Sequence, residues 1–258
     1  MYDTLWIGCS HSAGLYNMKN TIINSNAGIA NRIANHYRQR WKIISFPGDG
    51  NFKFMEAIKI LDDRRLLSNF RNIIIQQTYE PRLNFYTKET YKDSLSKVVD
   101  WVENEKVNET LNAALVTHEH DVFSLWARSF YESHEHNFTK EKEKFVNVAE
   151  HISNNIDPRN PQEEFYAEWS KAALDYIKMK AEQNKCNFYT FKWIGSYSTQ
   201  PKTHPLKGLF KGEEDVFSQI KRVGLQDELS EPGKHPTEKI LQFATKILIS
   251  ELDTIGYR

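Results

Sequence analysis

Ser10 and His235 are the two residues whose types and places point most directly to chemistry. A hydroxyl becomes a nucleophile when a neighbouring imidazole takes its proton, and the imidazole then returns that proton to a leaving group. Ser10 stands in Gly8-Cys9-Ser10-His11-Ser12-Ala13-Gly14, directly after the apolar run Leu5-Trp6-Ile7. His235 stands in Glu231-Pro232-Gly233-Lys234-His235-Pro236-Thr237-Glu238, directly before an apolar helical pattern. An apolar run that breaks into small and polar residues reads as a buried strand feeding a turn, which holds the serine at a sheet edge.

The elements that must position this pair follow from the pattern. Ile29, Ala30, Ile33 and Ala34 recur at helical spacing over residues 27–37, with Ser25 or Asn26 as N-cap. Residues 41–46 read as a second strand, ended by Pro47-Gly48-Asp49-Gly50-Asn51, and residues 54–67 as a second helix. Asn72-Ile73-Ile74-Ile75-Gln76 is a third buried strand. This alternation predicts an α/β fold: a three-layer sandwich around a mostly parallel sheet. From about residue 87 to 184 the pattern turns helical and charged, a helical insertion within a single domain over residues 1–258. Its clearest helices are residues 94–102 and 161–180, the latter with Phe165, Trp169, Ala172, Ala173, Tyr176 and Ile177 along one side. Residues 113–117 read as a fourth strand or part of a helix. Residues 188–194 are a strand, 196–234 a loop-rich stretch, and 237–252 the closing helix.

In open parallel sheets, sites gather outside the carboxyl ends of the strands. The turns after the first three strands meet there, and the segment holding His235 is expected to return to the same edge. Glycine in such turns lets backbone N–H groups approach a substrate oxygen, as an oxyanion hole requires.

This layout resembles the SGNH (GDSL-like) hydrolase superfamily, whose flavodoxin-like fold carries the nucleophile in a Gly-Asp-Ser-x-Ser block after the first strand. Here that block is Gly8-Cys9-Ser10-His11-Ser12. The family's second block, a glycine after strand two, is matched by Gly48 or Gly50, and its histidine block by His235-Pro236. The resemblance implies Ser10 as nucleophile, His235 as base, and the Ser10 and Gly48 or Gly50 N–H groups as oxyanion donors. It implies an ester substrate, a small molecule or a glycan, with carbohydrate O-acetyl groups foremost, and no cofactor. Three departures stand out. Cys9 replaces the aspartate of the first block. The third block, Gln76-Gln77-Thr78-Tyr79-Glu80-Pro81-Arg82, lacks the usual Asn, leaving Gln77, Thr78 or Arg82 as substitute donors. The acid that usually stands three residues before the histidine is Pro232, so Glu231 or Asp227 takes that role.

Two other readings compete. Thr117-His118-Glu119-His120-Asp121 resembles the Thr-His-x-His-x-Asp-His motif of metallo-β-lactamase-like hydrolases, and His134-Glu135-His136 follows nearby. On a strand, His118 and His120 would face one way, as metal ligation needs. Asp121 comes one position early and no histidine directly follows it, so no metal is expected. The second reading is a catalytically degenerate module that binds a glycan or protein through the same edge.

Bulk properties narrow the classes. Lys plus Arg and Asp plus Glu are 34 each, so no net field draws the chain to nucleic acid or an anionic membrane. Apolar residues make up 40% and aromatic residues 13%, enough for a real core. Two cysteines, Cys9 and Cys186, are too few for a disulfide scaffold, and no signal-peptide or transmembrane pattern is present. A cytoplasmic location is the expectation. No Gly-Lys-Ser/Thr or Gly-x-Gly-x-x-Gly supports a nucleotide site.

Overall fold

Successive residues of the first strand face opposite ways, and each way leads to its own apolar core. In the computed structural model, which describes residues 1–17, 21–47, 49–78, 82–85, 88–113, 123–126, 162–193, 215–225, 229–230 and 235–257, strand β1 is Tyr2–Gly8. Its Leu5 and Ile7 enter one cluster, and Trp6 enters the other. The other main elements are helix α1 (Ile29–Tyr37), β2 (Trp41–Ser45), α2 (Asn51–Asp63), β3 (Phe70–Gln77), α3 (Lys88–Glu103) and β4 (Thr110–Asn112). They are followed by α4 (Gln162–Gln183), β5 (Asn187–Lys192), α5 (Val216–Arg222) and α6 (Glu238–Thr254).

The five strands form one parallel sheet in the order β4-β2-β1-β3-β5. Alternation continues across it. Ile44, Ile73 and Ile75 share a core with α2, α3 and α4, while Ile43, Ile74 and Phe191 share one with α1, α5 and α6. The chain is therefore an α/β fold with helices on both faces of a parallel sheet, the arrangement that buries such strands.

The fourth strand departs from the flavodoxin-like order 2-1-3-4-5, because β4 adds to the outer edge of β2. Asn108 is the physical reason. Its N–H donates to the Trp41 carbonyl (2.9 Å), its Oδ1 accepts from the Trp41 N–H (2.8 Å), and its carbonyl accepts from Asn31 Nδ2 (2.6 Å). Thr110 Oγ1 then donates to Asn31 Oδ1 at 2.8 Å. These bonds deliver the chain leaving α3 onto β2.

Several local expectations shift. The N-cap of α1 is Gly28, and residues 25–27 form a 3-10 turn whose Asn26 N–H donates to Asn24 Oδ1. Along α4, Leu174 joins Ala173 and Ile177 in the core, whereas Ala172 is exposed. Helix α5 lies inside the stretch read as loop, capped by the Asp215 carboxylate, which accepts from the Ser218 N–H at 2.6 Å. Of the described parts of the central block, α3, β4 and α4 belong to the sheet and one helical layer, whereas Phe123–Trp126 pairs with Arg82–Phe85 in a separate two-stranded sheet. Among the described residues, no helix is long and apolar enough to cross a membrane.

Candidate functional site

Where β1 ends, the chain turns within a short 3-10 segment, Ser10–Ser12, closed by Ser12 N–H to the Cys9 carbonyl (2.9 Å) and Ala13 N–H to the Ser10 carbonyl (3.0 Å). Both neighbouring strands hold it. From β2, Ser45 Oγ donates to the Cys9 carbonyl at 2.8 Å and the Phe46 N–H donates to the Gly8 carbonyl at 2.8 Å. From β3, Gln76 Oε1 accepts from the Ser12 hydroxyl, which itself accepts from Trp6 Nε1–H at 2.9 Å. Gly8 makes this possible: a β-carbon there would stand 2.5 Å from Gln76 Oε1 and closer still to Ser12 Oγ.

The two serines thus differ in duty. Ser12 is fully buried and its hydroxyl both accepts and donates within the turn, whereas Ser10 retains 8% exposure. Ser10 sits where β1 and β3 lead away to opposite faces, since α1 covers one side of the sheet and α3 the other. In open α/β sheets such a divergence is where ligands are generally bound.

His235 reaches this edge because α6 runs beside α1 in the same direction. Arg32 of α1 grips Glu238 in the first turn of α6, with Nη1 to Oε1 at 3.0 Å and Nη2 to Oε2 at 2.6 Å. At the far end the Tyr37 hydroxyl donates to Asp253 Oδ1 at 2.8 Å. The start of α6 therefore lies at the carboxyl edge, like the start of α1. The preceding His235–Pro236 pairs with Leu229–Ser230 in a short antiparallel ribbon and packs on the Ser10–Ser12 turn.

The side chains meet as a stack of rings. Trp193 lies 5.2 Å from His11 at 24°, His11 lies 5.3 Å from His235 at 35°, and His235 lies 4.0 Å from Tyr16 at 11°. Burial, with a smaller contribution from Cys9, raises the Tyr16 phenol above its ordinary range, so the ring stays neutral. Gly14, at φ +141°, lets the chain double back over Asn24 and Ser25 so that Tyr16 returns to this place.

The remaining expected site residues divide. Gly50 is the N-cap of α2 at the same edge, and its carbonyl accepts from the Lys53 N–H at 3.0 Å. Gln77 is buried and donates through Nε2 to Thr190 Oγ1 on β5 at 2.7 Å. The Thr78 N–H donates to Asn51 Oδ1 at 3.0 Å, and Asn51 Nδ2 donates to Ser170 Oγ of α4 at 2.6 Å. Both residues brace the edge from β3. Arg82 begins the strand Arg82–Phe85, which pairs antiparallel with Phe123–Trp126. Gly48, Asp227, Glu231, His118 and His120 lie outside the described residues, as does the His134–His136 segment. Cys9 turns into the core shared with α2.

His11, Tyr16 and Trp193 are the site residues that sequence reasoning missed. His11 carried a usable signal, an imidazole between two hydroxyls in a turn without charged residues. Tyr16 and Trp193 carried none, because their role arises from tertiary stacking. Comparison with known proteins finds no matching family model, curated protein or solved structure.

Proposed function

We propose that the chain is a serine ester hydrolase of SGNH type, with Ser10 as nucleophile and His235 as general base. One observation carries this reading: the His235–Pro236 segment, 225 positions from Ser10 in sequence, packs on the Ser10–Ser12 turn at the carboxyl edge of the sheet. Supporting it, the Ser12 hydroxyl is engaged with Trp6 and Gln76 within the turn, whereas Ser10, at 8% exposure, lies outside that contact.

In this reading Ser10 Oγ attacks the ester carbonyl carbon as His235 takes the hydroxyl proton. The tetrahedral oxyanion is met by backbone N–H groups of Ser10 and of Gly50 or Gly48, each such donor lowering the barrier by about 2.7–4 kcal/mol. The C–O bond to the leaving alcohol then breaks, and the alcohol departs with the proton from His235. Water attacks the acyl-serine as His235 takes its proton, the bond from the acyl carbon to Ser10 Oγ breaks, and His235 returns the proton to that oxygen as the acid leaves. Glu231 or Asp227 would supply the acid and Arg82 a polar contact to substrate, since Gln77 Nε2 and the Thr78 N–H are already engaged with Thr190 and Asn51. Carbohydrate O-acetyl groups are the leading substrate class, on the strength of the family resemblance.

The test is p-nitrophenyl acetate turnover, joined to labelling with a serine-reactive fluorophosphonate. Ser10→Ala is expected to lower turnover roughly a thousandfold or more and to abolish labelling, and His235→Ala to do nearly as much alone. Equal turnover in wild type and Ser10→Ala would remove Ser10 from the mechanism. An unlabelled wild type would favour the binding-module alternative.

A further inference from the structure

We propose that Tyr16 is the positioning residue of His235, its ring face fixing the plane of the imidazole and shielding the positive charge that imidazole gains from Ser10. The inference rests on the reading of His235 as base and deepens it. At 4.0 Å between centroids and 11° between planes, Tyr16 and His235 are stacked face to face. His11 lies 5.3 Å from the same imidazole, tilted by 35°, and is itself stacked on Trp193 at 5.2 Å. An imidazole stacked face to face on a buried ring is hindered from rotating out of its plane, so its edge, where both nitrogens lie, is held in one orientation.

The electrostatics run the same way. An aromatic face attracts a cation lying over it, and the attraction grows as water is excluded. Tyr16 is 7% exposed, so imidazolium forming on His235 meets a largely dehydrated π face. Burial holds the phenol neutral, which matters because a phenolate at this distance would trap the proton on His235. Other titratable groups nearby are His11 from the 3-10 turn and Cys9 just before it, which acts on Tyr16. Glu238, in the first turn of α6, is already paired with Arg32. Tyr16 itself is set by two features of the backbone, the turn at Gly14 and the pairing of Leu15–Tyr16 with Ile22–Asn24.

The experiment compares wild type, Tyr16→Phe and Tyr16→Leu in two readouts. One is the rate of fluorophosphonate labelling at Ser10 from about pH 5 to 9, and the other is NMR of the His235 ring in histidine-labelled protein. Tyr16→Phe keeps the π face and is expected to label within about threefold of wild type, while Tyr16→Leu falls about tenfold or more. Loss of the π face destabilises imidazolium, so the acid limb of the Tyr16→Leu profile is expected to move to lower pH. A merely structural lesion would lower the rate without moving the limb. In NMR, ring-current shifts on the His235 protons are expected in wild type and Tyr16→Phe and to fall markedly in folded Tyr16→Leu, where only the more distant His11 ring remains. Labelling of Tyr16→Leu at the wild-type rate with an unmoved limb would overturn the proposal. If wild type takes no label, the esterase reading fails by itself. His235 signals identical in wild type and Tyr16→Leu would then overturn the stack as well.

Discussion

Replacing Gly8 by alanine should destabilise the fold far more than one methyl group suggests. The new carbon would stand 2.5 Å from Gln76 Oε1, 3.0 Å from Gln76 Cβ and nearer still to Ser12 Oγ. Neither partner has room to withdraw, since Ser12 and Gln76 are both fully buried and joined to each other and to Trp6. Moving the Ser12 hydroxyl aside leaves Trp6 Nε1–H and Gln76 Oε1 unpaired, at about 1–3 kcal/mol each. Overpacking adds about 1–3 kcal/mol. The restricted unfolded chain of an alanine variant offsets only about 0.4–1 kcal/mol. The expected loss is about 2–9 kcal/mol, against a total stability of roughly 5–15 kcal/mol for a domain.

Urea unfolding followed by circular dichroism and tryptophan fluorescence measures this directly, as a lower midpoint at unchanged slope. The double variant Gly8→Ala/Ser12→Ala removes the closest contact, so the two substitutions should combine to less than their separate losses by about 1–2 kcal/mol. A Gly8→Ala midpoint equal to wild type would refute the account of the turn. Strict additivity in the double variant would refute the specific role of Ser12.

Three further outcomes follow from other parts of the molecule. Lys42 is fully buried and its ammonium donates to the carbonyls of Trp101 (2.9 Å), Asn104 (2.6 Å) and Lys106, closing the end of α3. Lys42→Met leaves those carbonyls unpaired and should cost about 2–4 kcal/mol in urea unfolding. Asn108 sits at φ +55° and holds Trp41 through both backbone and side chain. Asn108→Ala should lose about 2–3 kcal/mol, and Asn108→Gly less, because glycine accepts the left-handed conformation. Lys180 and Asn184 lower the Asp62 carboxyl below its ordinary value, and Arg32 and Gln242 lower that of Glu238. As pH falls below about 4 the unfolded chain takes up protons first, so stability present above that range is lost as pH approaches the lower folded values. Asp62→Asn should show a smaller drop in urea midpoint between about pH 5 and 3, a small effect because the pair is partly open to solvent.

What was legible in the sequence is what depends on local period. Strands β1, β2 and β3 are short runs of buried residues between turns, and α6 shows its inward face as Ile240, Leu241, Ala244 and Leu248. The elements missed are those whose stability comes from polar bonds at a distance. Strand β4 has three residues, too few to show a pattern, and is placed by the bonds of Asn108 and Asn31. Helix α5 has seven residues with only Val216 and Ile220 buried, although its Asp215 cap is a local signal that could have marked its start.

The site shows the same division more sharply. A serine after a first strand and a histidine before a last helix are visible as types in order, because both sit beside apolar runs. Which of two serines is available is not, since Ser10 and Ser12 differ only in what surrounds them. Ser12 faces the same side as Trp6 and Gln76 and is absorbed into the fold; Ser10 lies one step outside that contact. The ring stack is further still from sequence, joining residues 11, 16, 193 and 235 across three separate connections. The side-by-side course of α1 and α6 brings them together, and that course rests on burying Ile33, Ala34, Leu241, Ala244 and Leu248 in one core. Apolar packing on one face of the sheet thus sets where the imidazole arrives, and aromatic contact sets how it is turned.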